Sequence, residues 1–240
     1  MAISSITNPI RKVLPLKCCG VVIVAAGNAS RMGGIDKVMA PLNSEPMIVR
    51  TVRTFQNCDA VKEIVIVTRE DLITKITSLC GKFDKVRAVV VGGKDRAESV
   101  KNGLGMLSSK AKLAAVHDGA RPLITEAVID RTIRAAHTYG AAAPAIPVKD
   151  TIKVVEGGIV PATPDRSTLK AIQTPQVFDI DLLKGALKKA YEDGAAITDD
   201  ASAVERMGFK VKVVEGDERN IKVTTPMDLK IAELLLEDRT

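Results

Sequence analysis

Residues 21–37 read VVIVAAGNASRMGGIDK. The stretch from Val21 to Ala26 is apolar throughout, with no alternation of apolar and polar positions. A short continuous run of this kind is the pattern of a strand buried on both faces. Gly27 to Lys37 then mixes small residues with the cations Arg31 and Lys37. Small residues let backbone N–H groups approach an anion closely, and Arg and Lys add charge for phosphates. Two known phosphate-binding templates do not fit. A Walker A loop needs a second glycine five positions after the first, but Met32 stands there. A dinucleotide fingerprint needs a glycine two positions on, but Ala29 stands there. The loop is longer than either, and its cations are spaced to surround a polyphosphate. An ordinary turn with surface cations would satisfy the same residues, so the rest of the chain has to decide.

Working outward, similar apolar runs recur at Glu63 to Thr68, Val86 to Val91 and Leu113 to His117. Helix patterns lie between them. Pro46 is placed to start a helix through Phe55. Further helices are expected over Asp71 to Leu79 and Arg96 to Leu107. Glu126 to Tyr139 carries Val128, Ile129, Ile133 and Ala136 close to a 3.6 period and stops at Gly140. Strand and helix in alternation predict an α/β fold: a Rossmann-like, mostly parallel sheet with helices on both faces. Such sheets bind ligands beyond the carboxyl ends of their strands, so the loops that carry motifs should gather there.

The rhythm breaks after Pro147. Asp150 to Val155 and Gly157-Gly158 read as a hairpin with a Gly-Gly turn. Pro161, Pro164 and Pro175 then punctuate an extended region. This is read as an arm over about 148–172 that leaves the sheet to reach a second subunit. The α/β pattern resumes with a helix from Asp181 to Glu192, a strand at Val211 to Glu215 and a helix from Pro226 to about Glu237. There is no internal repeat or low-complexity linker. The expected organisation is a loose basic tail over 1–17 and one domain over 18–240.

Composition narrows the partners. Lys plus Arg is 35 and Asp plus Glu is 29, a formal net charge of +6, which favours anionic ligands. Trp is absent, and Phe and Tyr number only 4 and 2. With so few rings to stack on bases, and no basic blocks, a nucleic-acid platform is not expected. Small phosphorylated ligands suit the same charge. No apolar run has membrane-spanning length. Cys18, Cys19, Cys58 and Cys80 form no C-x-x-C pair and share no metal spacing with the two histidines. They read as free thiols in a reducing compartment, the cytoplasm.

Asp118 follows the Leu113 to His117 run, which places it at the carboxyl edge of the sheet. A carboxylate there can hold Mg²⁺ or another divalent cation against phosphates; a turn cap before Gly119 is the plainer reading. His117 points to the opposite face from Asp118 and reads as structural.

The motifs together resemble a known family. They are Ala25-Ala26-Gly27, Arg31-Met32-Gly33 and Lys37, then the segments 92–100 (GGKDRAESV) and 117–122 (HDGARP). The segments 147–153 (PVKDTIK), 173–176 (QTPQ), 198–202 (TDDAS) and 220–226 (NIKVTTP) follow in the same order. This set is similar to the 2-C-methyl-D-erythritol 4-phosphate cytidylyltransferases, Rossmann-like nucleotidyltransferases of the non-mevalonate route to isoprenoids. One departure is Ala29, where that family usually has glycine.

The resemblance implies attack by a phosphate oxygen of 2-C-methyl-D-erythritol 4-phosphate on the α-phosphorus of CTP, with Mg²⁺ as cofactor and pyrophosphate leaving. It implies Arg31, Lys37 and Lys222 as catalytic cations. Ala25, Ala26, Gly27 and Gly92 would bind the nucleotide, and Arg96 and Ser99 fall in the cytosine-reading region. Asp95 in that segment also suits a helix N-cap. Asp118, Arg121, Thr151, Arg166, Thr174 and Thr198 would line the acceptor pocket. It further implies a homodimer in which each arm lends residues to its neighbour's site. Transfer to another polyol phosphate such as ribitol 5-phosphate, and a non-catalytic nucleotide-binding regulator, are the alternatives. An NAD(P)-dependent oxidoreductase shares the sheet class but lacks its fingerprint.

Overall fold

The computed structural model describes residues 18–27 and 36–238. The expected tail over 1–17, Arg31 and Ala29 lie outside them. The strands are β1 (Cys19–Ala25), β2 (Pro41–Leu42), β3 (Glu45–Pro46), β4 (Val61–Thr68), β5 (Val86–Val91), β6 (Leu113–Asp118), β7 (Ala141–Pro147), β8 (Val154–Glu156), β9 (Ile159–Ala162), β10 (Lys170–Ile172), β11 (Gln176–Asp179) and β12 (Lys212–Glu215). The helices are α1 (Met47–Asn57), α2 (Ile73–Cys80), α3 (Arg96–Met106), α4 (Glu126–Tyr139), α5 (Ile180–Glu192), α6 (Asp200–Arg206) and α7 (Pro226–Glu237).

The apolar run that opens the sequence forms the middle of the main sheet. β1 pairs in parallel with β4 on one side and β6 on the other. β5 extends the sheet beyond β4, also in parallel. The sheet order is β10-β7-β11-β6-β1-β4-β5, with β12 parallel to β7. Helices cover both faces. Val21 and Ile23 pack toward residues of α1, α2 and α4, while Val22 packs toward α3, α5 and α6. A third apolar cluster joins Met47, Leu123 and Val223 to Ala232 and Leu236 of α7.

Local signals set the helix ends. Thr125 caps α4 through its side chain, and Gly140 ends it at φ +82°. α6 and α7 both start with capping boxes, Asp199 with Ser202 and Thr225 with Asp228.

The region after Pro147 differs in part from the sequence expectation. The hairpin β8–β9 is there, and among the described residues it pairs only with itself. Gly157 and Gly158 make its turn at φ +56° and +82°, the positive angles such a turn demands. The extended region beyond it re-enters the sheet, however. β11 lies antiparallel between β6 and β7, and β10 lies antiparallel to β7. The pairing of a short strand across many residues is set by its neighbours more than by its own composition.

Candidate active site

β1, β5 and β6 run in the same direction, so the segments that follow them meet at one edge. Asp118 stands beside Val24 in the register of β6 on β1. Here Ala25, Ala26, Gly27, Lys37, Gly93, Lys94, Arg96, Ser99, Asp118 and Lys222 line a cavity of about 310 Å³. Residues separated by nearly two hundred positions thus share one wall.

The glycine segments make room at that edge. A Cβ on Gly92 would stand 2.5 Å from the Cβ of Ala26 and 2.9 Å from Ser99 Oγ. Gly92 therefore packs behind the wall, and Gly93 forms part of it. Gly93 N–H donates to Ser99 Oγ at 3.0 Å, and that hydroxyl donates to Asp95 O at 2.8 Å. Asp95 accepts from Glu98 N–H and caps α3. Ser99 thus closes the loop with its hydrogen and keeps one further lone pair. Lys37 opens a short 3₁₀ turn capped by Asp36, and its Nζ lies 3.7 Å from where a Cβ on Gly27 would stand. The ammonium therefore lies over the start of the glycine-rich loop.

Lys222 is placed by anchors on both sides. Asn220 is fully buried and donates through Nδ2 to Thr174 O at 3.0 Å. Val223 N–H donates to Ala120 O at 2.8 Å, and its side chain is buried. Between them Lys222 Nζ reaches Asp118 Oδ2 at 2.8 Å. Arg121 Nε and Arg96 Nη2 are each 3.8 Å from the same carboxylate. Burial alone would push the Asp118 carboxyl up; Lys222, Arg96 and Arg121 outweigh it and hold it below the usual carboxylate range. Asp118 is thus a fixed anion among cations.

Beneath Asp118 lies a neutral hydrogen-bond chain. Asp118 N–H donates to Thr174 Oγ1 at 3.1 Å, and Thr174 Oγ1 lies 3.1 Å from His117 Nδ1. His117 Nε2 lies 3.2 Å from Arg121 O. A carbonyl only accepts, so the ring proton belongs on Nε2 and Nδ1 accepts from the threonine. Burial pushes the His117 pKa down to about 4, which keeps it neutral. Its ring meets Phe55 edge-on at 4.8 Å, on the face away from the cavity.

The structure brings together Ala25, Ala26, Gly27, Lys37, Arg96, Ser99, Asp118 and Lys222, with Arg121 beside them. Thr174 is buried behind the site rather than lining it. Thr151, Arg166 and Thr198 do not line this cavity within one chain. Arg166 sits at the root of the hairpin, where its Nη1 donates to Lys149 O at 2.9 Å. Asp200, Gln176 and Gln173 were assigned no role from sequence, yet all three are buried next to site residues. The capping pattern from Asp199 to Ser202 was the available signal for Asp200: one acid caps the helix and leaves its neighbour for another role.

A family profile described as 2-C-methyl-D-erythritol 4-phosphate cytidylyltransferase matches residues 19–238. A relative of that name from Symbiobacterium thermophilum is 48% identical over 220 residues, 91% of this chain and 92% of the relative. One from Caldanaerobacter subterraneus is 46% identical over 90% of this chain and 97% of its own length. The solved structure of the 4-diphosphocytidyl-2C-methyl-D-erythritol synthase from Anaerococcus prevotii has a TM-score of 0.84 at 32% identity. It covers 92% of this chain and 96% of its own. With this site at the sheet edge and matches of that extent, the chain belongs to the 2-C-methyl-D-erythritol 4-phosphate cytidylyltransferase family.

Proposed function

We propose that the cavity at the ends of β1, β5 and β6 is where a cytidylyl group passes from CTP to 2-C-methyl-D-erythritol 4-phosphate. The acceptor's phosphate oxygen forms a bond to the α-phosphorus, and the bond from that phosphorus to the β-phosphate bridge breaks. Pyrophosphate leaves and 4-diphosphocytidyl-2-C-methyl-D-erythritol remains. Both reactants are anions, so the protein's work is alignment and charge compensation. The convergence of Lys37, Lys222 and Asp118 on one cavity beside a glycine-rich loop carries this reading.

Lys37 and Lys222, with Arg31, neutralise charge that grows on the phosphates in the transition state. Gly27 leaves backbone room for the nucleotide, and Ser99 has a lone pair for the cytosine amine. Arg121 would lend its charge to the acceptor from beside Asp118, with Nε 3.8 Å from that carboxylate and Nη1 donating to Asn220 O at 2.7 Å.

The donor set suits Mg²⁺ in one particular way. Among the described residues no three His, Cys, Asp or Glu side chains gather to hold a metal. Asp118 would supply one carboxylate, with phosphate oxygens and water completing the shell, the usual arrangement for Mg²⁺ on nucleotides. Bound there, the ion would draw charge from the phosphate oxygens.

The hairpin supports a homodimer. Val155 is 59% and Ile159 74% exposed, and Ile152 and Val160 are exposed beside them. A second copy would cover this apolar arm and bring Thr151 and Arg166 toward a partner's site. The rest of the chain over 18–240 is one nucleotidyltransferase domain. Its four free thiols suit a cytoplasmic enzyme, and no helix among the described residues is long and apolar enough to cross a membrane.

The test is pyrophosphate release from CTP and Mg²⁺ with each polyol phosphate. Fastest turnover is expected with 2-C-methyl-D-erythritol 4-phosphate. Faster release with ribitol 5-phosphate would overturn the choice of acceptor. CTP binding without release on any acceptor would leave a nucleotide-binding regulator.

A further inference from the structure

Two motifs remain without a part in the reaction: the glutamines of 173–176 and the paired acids Asp199 and Asp200. Asp200 is fully buried, and Arg96 Nη2 lies 2.7 Å from its Oδ2. The same nitrogen lies 3.8 Å from Asp118 Oδ1. One guanidinium thus stands between two carboxylates and closer to the hidden one. Arg96 and Asp200 form a close ion pair, and among the described residues no other donor satisfies either Asp200 oxygen. A buried carboxylate deprived of its cation is strongly unfavourable. Arg96 therefore cannot leave Asp200 without exposing that penalty.

Nor can Asp200 follow Arg96 toward the cavity. Gln176 grips the chain on either side of it. Its Nε2 donates to Asp199 Oδ2 at 2.7 Å, and its Oε1 accepts from Ala201 N–H at 2.9 Å. The capping box of Asp199 with Ser202 fixes the same turn.

Asp118 shows what this restraint protects. Lys222 occupies its Oδ2 side, and the cation facing its Oδ1 is Arg96, held back at 3.8 Å. A released guanidinium would close that gap and form a paired fork on Asp118.

We propose that Asp200 is a positioning residue for the nucleotide half of the site, holding Arg96 off Asp118 so that Asp118 keeps an oxygen for what enters with the nucleotide. The proposal rests on reading Arg96 and Asp118 as site residues. It joins the paired acids and Gln176 in one chain of restraint, in which Gln176 sets Asp200 and Asp200 sets Arg96.

The experiment is calorimetric CTP binding to the full chain with Mg²⁺ and no acceptor, together with the KM for CTP and kcat. Asp200→Asn keeps the shape and removes the charge. It should weaken CTP binding by about 10-fold or more, the scale for losing a partner that orients a site residue. In an Asp118→Asn background the same change should have little further effect, because Arg96 then has no second carboxylate to collapse onto. Equal losses in both backgrounds would overturn the proposal. So would a shifted Tm with CTP affinity unchanged, the mark of a purely structural acid. Should Asp200→Asn fail to fold, Asp200→Glu keeps the charge and displaces it; wild-type CTP affinity in that variant would equally overturn the proposal. Arg96→Gln separates the two levels. If it leaves CTP binding intact, the site reading itself fails. If it weakens binding while Asp200→Asn does not, only the positioning role fails.

Discussion

Replacing Lys222 by methionine keeps the length of the side chain and removes its charge. The structure lets the consequences for folding and for catalysis be separated. Lys222 is 2.8 Å from Asp118, while Arg96 and Arg121 are each 3.8 Å away. Coulomb energy falls as 1/r, so the two arginines retain roughly 60% of the attraction that all three cations supply. Asp118 therefore keeps most of its compensating charge in the variant. The Lys222 side chain is 42% exposed, which brings its pair with Asp118 toward the surface value of about 1 kcal/mol or less. In a chain of this size that corresponds to a Tm change of about 2–4 °C at most. In the transition state Lys37 and Arg31 remain, but the charge that grows there makes each lost donor count for more. A lost charge-stabilising donor costs about 2.7–4 kcal/mol there, or about 10²–10³ in kcat. Single-turnover measurement at saturating CTP and acceptor should show that fall, with a thermal melt close to wild type. A kcat within about threefold of wild type and a raised KM would show that Lys222 only binds substrate. A collapse in Tm would show that the pair with Asp118 is structural. Either result refutes the assignment.

Other expectations concern separate parts of the site. Gly92→Ala puts a Cβ 2.5 Å from Ala26 and 2.9 Å from Ser99; the loop must shift, and the KM for CTP should rise on the order of 10-fold to 100-fold, an unchanged value showing that the wall has slack. Arg166→Ala should raise the KM for the acceptor more than that for CTP, because Arg166 sits at the root of the hairpin, away from the cavity formed by the nucleotide segments; equal effects on both would count against an acceptor role. His117 is buried with its pKa pushed down to about 4 from an ordinary 6.5. Its neutral form is favoured in the folded state, so its contribution is complete above about 6.5 and is lost as pH falls toward about 4. At about 1.4 kcal/mol per tenfold change in proton affinity the loss is on the order of 3 kcal/mol. Asp118, whose carboxyl is held below its ordinary value, adds its own loss only at still lower pH. An NMR titration of the His117 ring that turned near 6.5 would remove the basis for this window.

The strands that carry the site were readable because their burial is written in their composition. Val21 to Ala26 and Glu63 to Thr68 are β-branched or apolar nearly throughout, as central parallel strands are. β7 was not readable in the same way: its sequence AAAPAIP is rich in alanine and holds two prolines, neither favoured in strands. β11 has four residues and follows Pro175; its place between β6 and β7 comes from neighbours distant in sequence. α6, at seven residues, is too short to show a period and was not expected from the sequence; its cap was the one signal on offer.

The site divides along a different line. Lys37 and Asp118 were candidates because one sits in a glycine-rich loop and the other at the end of a buried strand, though a surface cation and a turn cap fitted them as well; Lys222 was marked only by the family resemblance. The segment 173–176 shows where that reasoning stops. Gln173 Nε2 donates to Asp217 O at 2.8 Å and so braces the loop that carries Lys222. Thr174 holds the Asp118 backbone and His117, and Gln176 holds the turn that carries Asp200. Glutamine and threonine are the types that would also touch a sugar or a phosphate directly. Sequence spacing cannot separate a residue that meets the ligand from one that holds the residue that does. Their placement in the fold can: Gln173, Thr174 and Gln176 are buried and do not line the cavity, whereas Ser99, equally buried, does. Mutating them should therefore disturb both halves of the site together, as lost alignment does, rather than remove one contact.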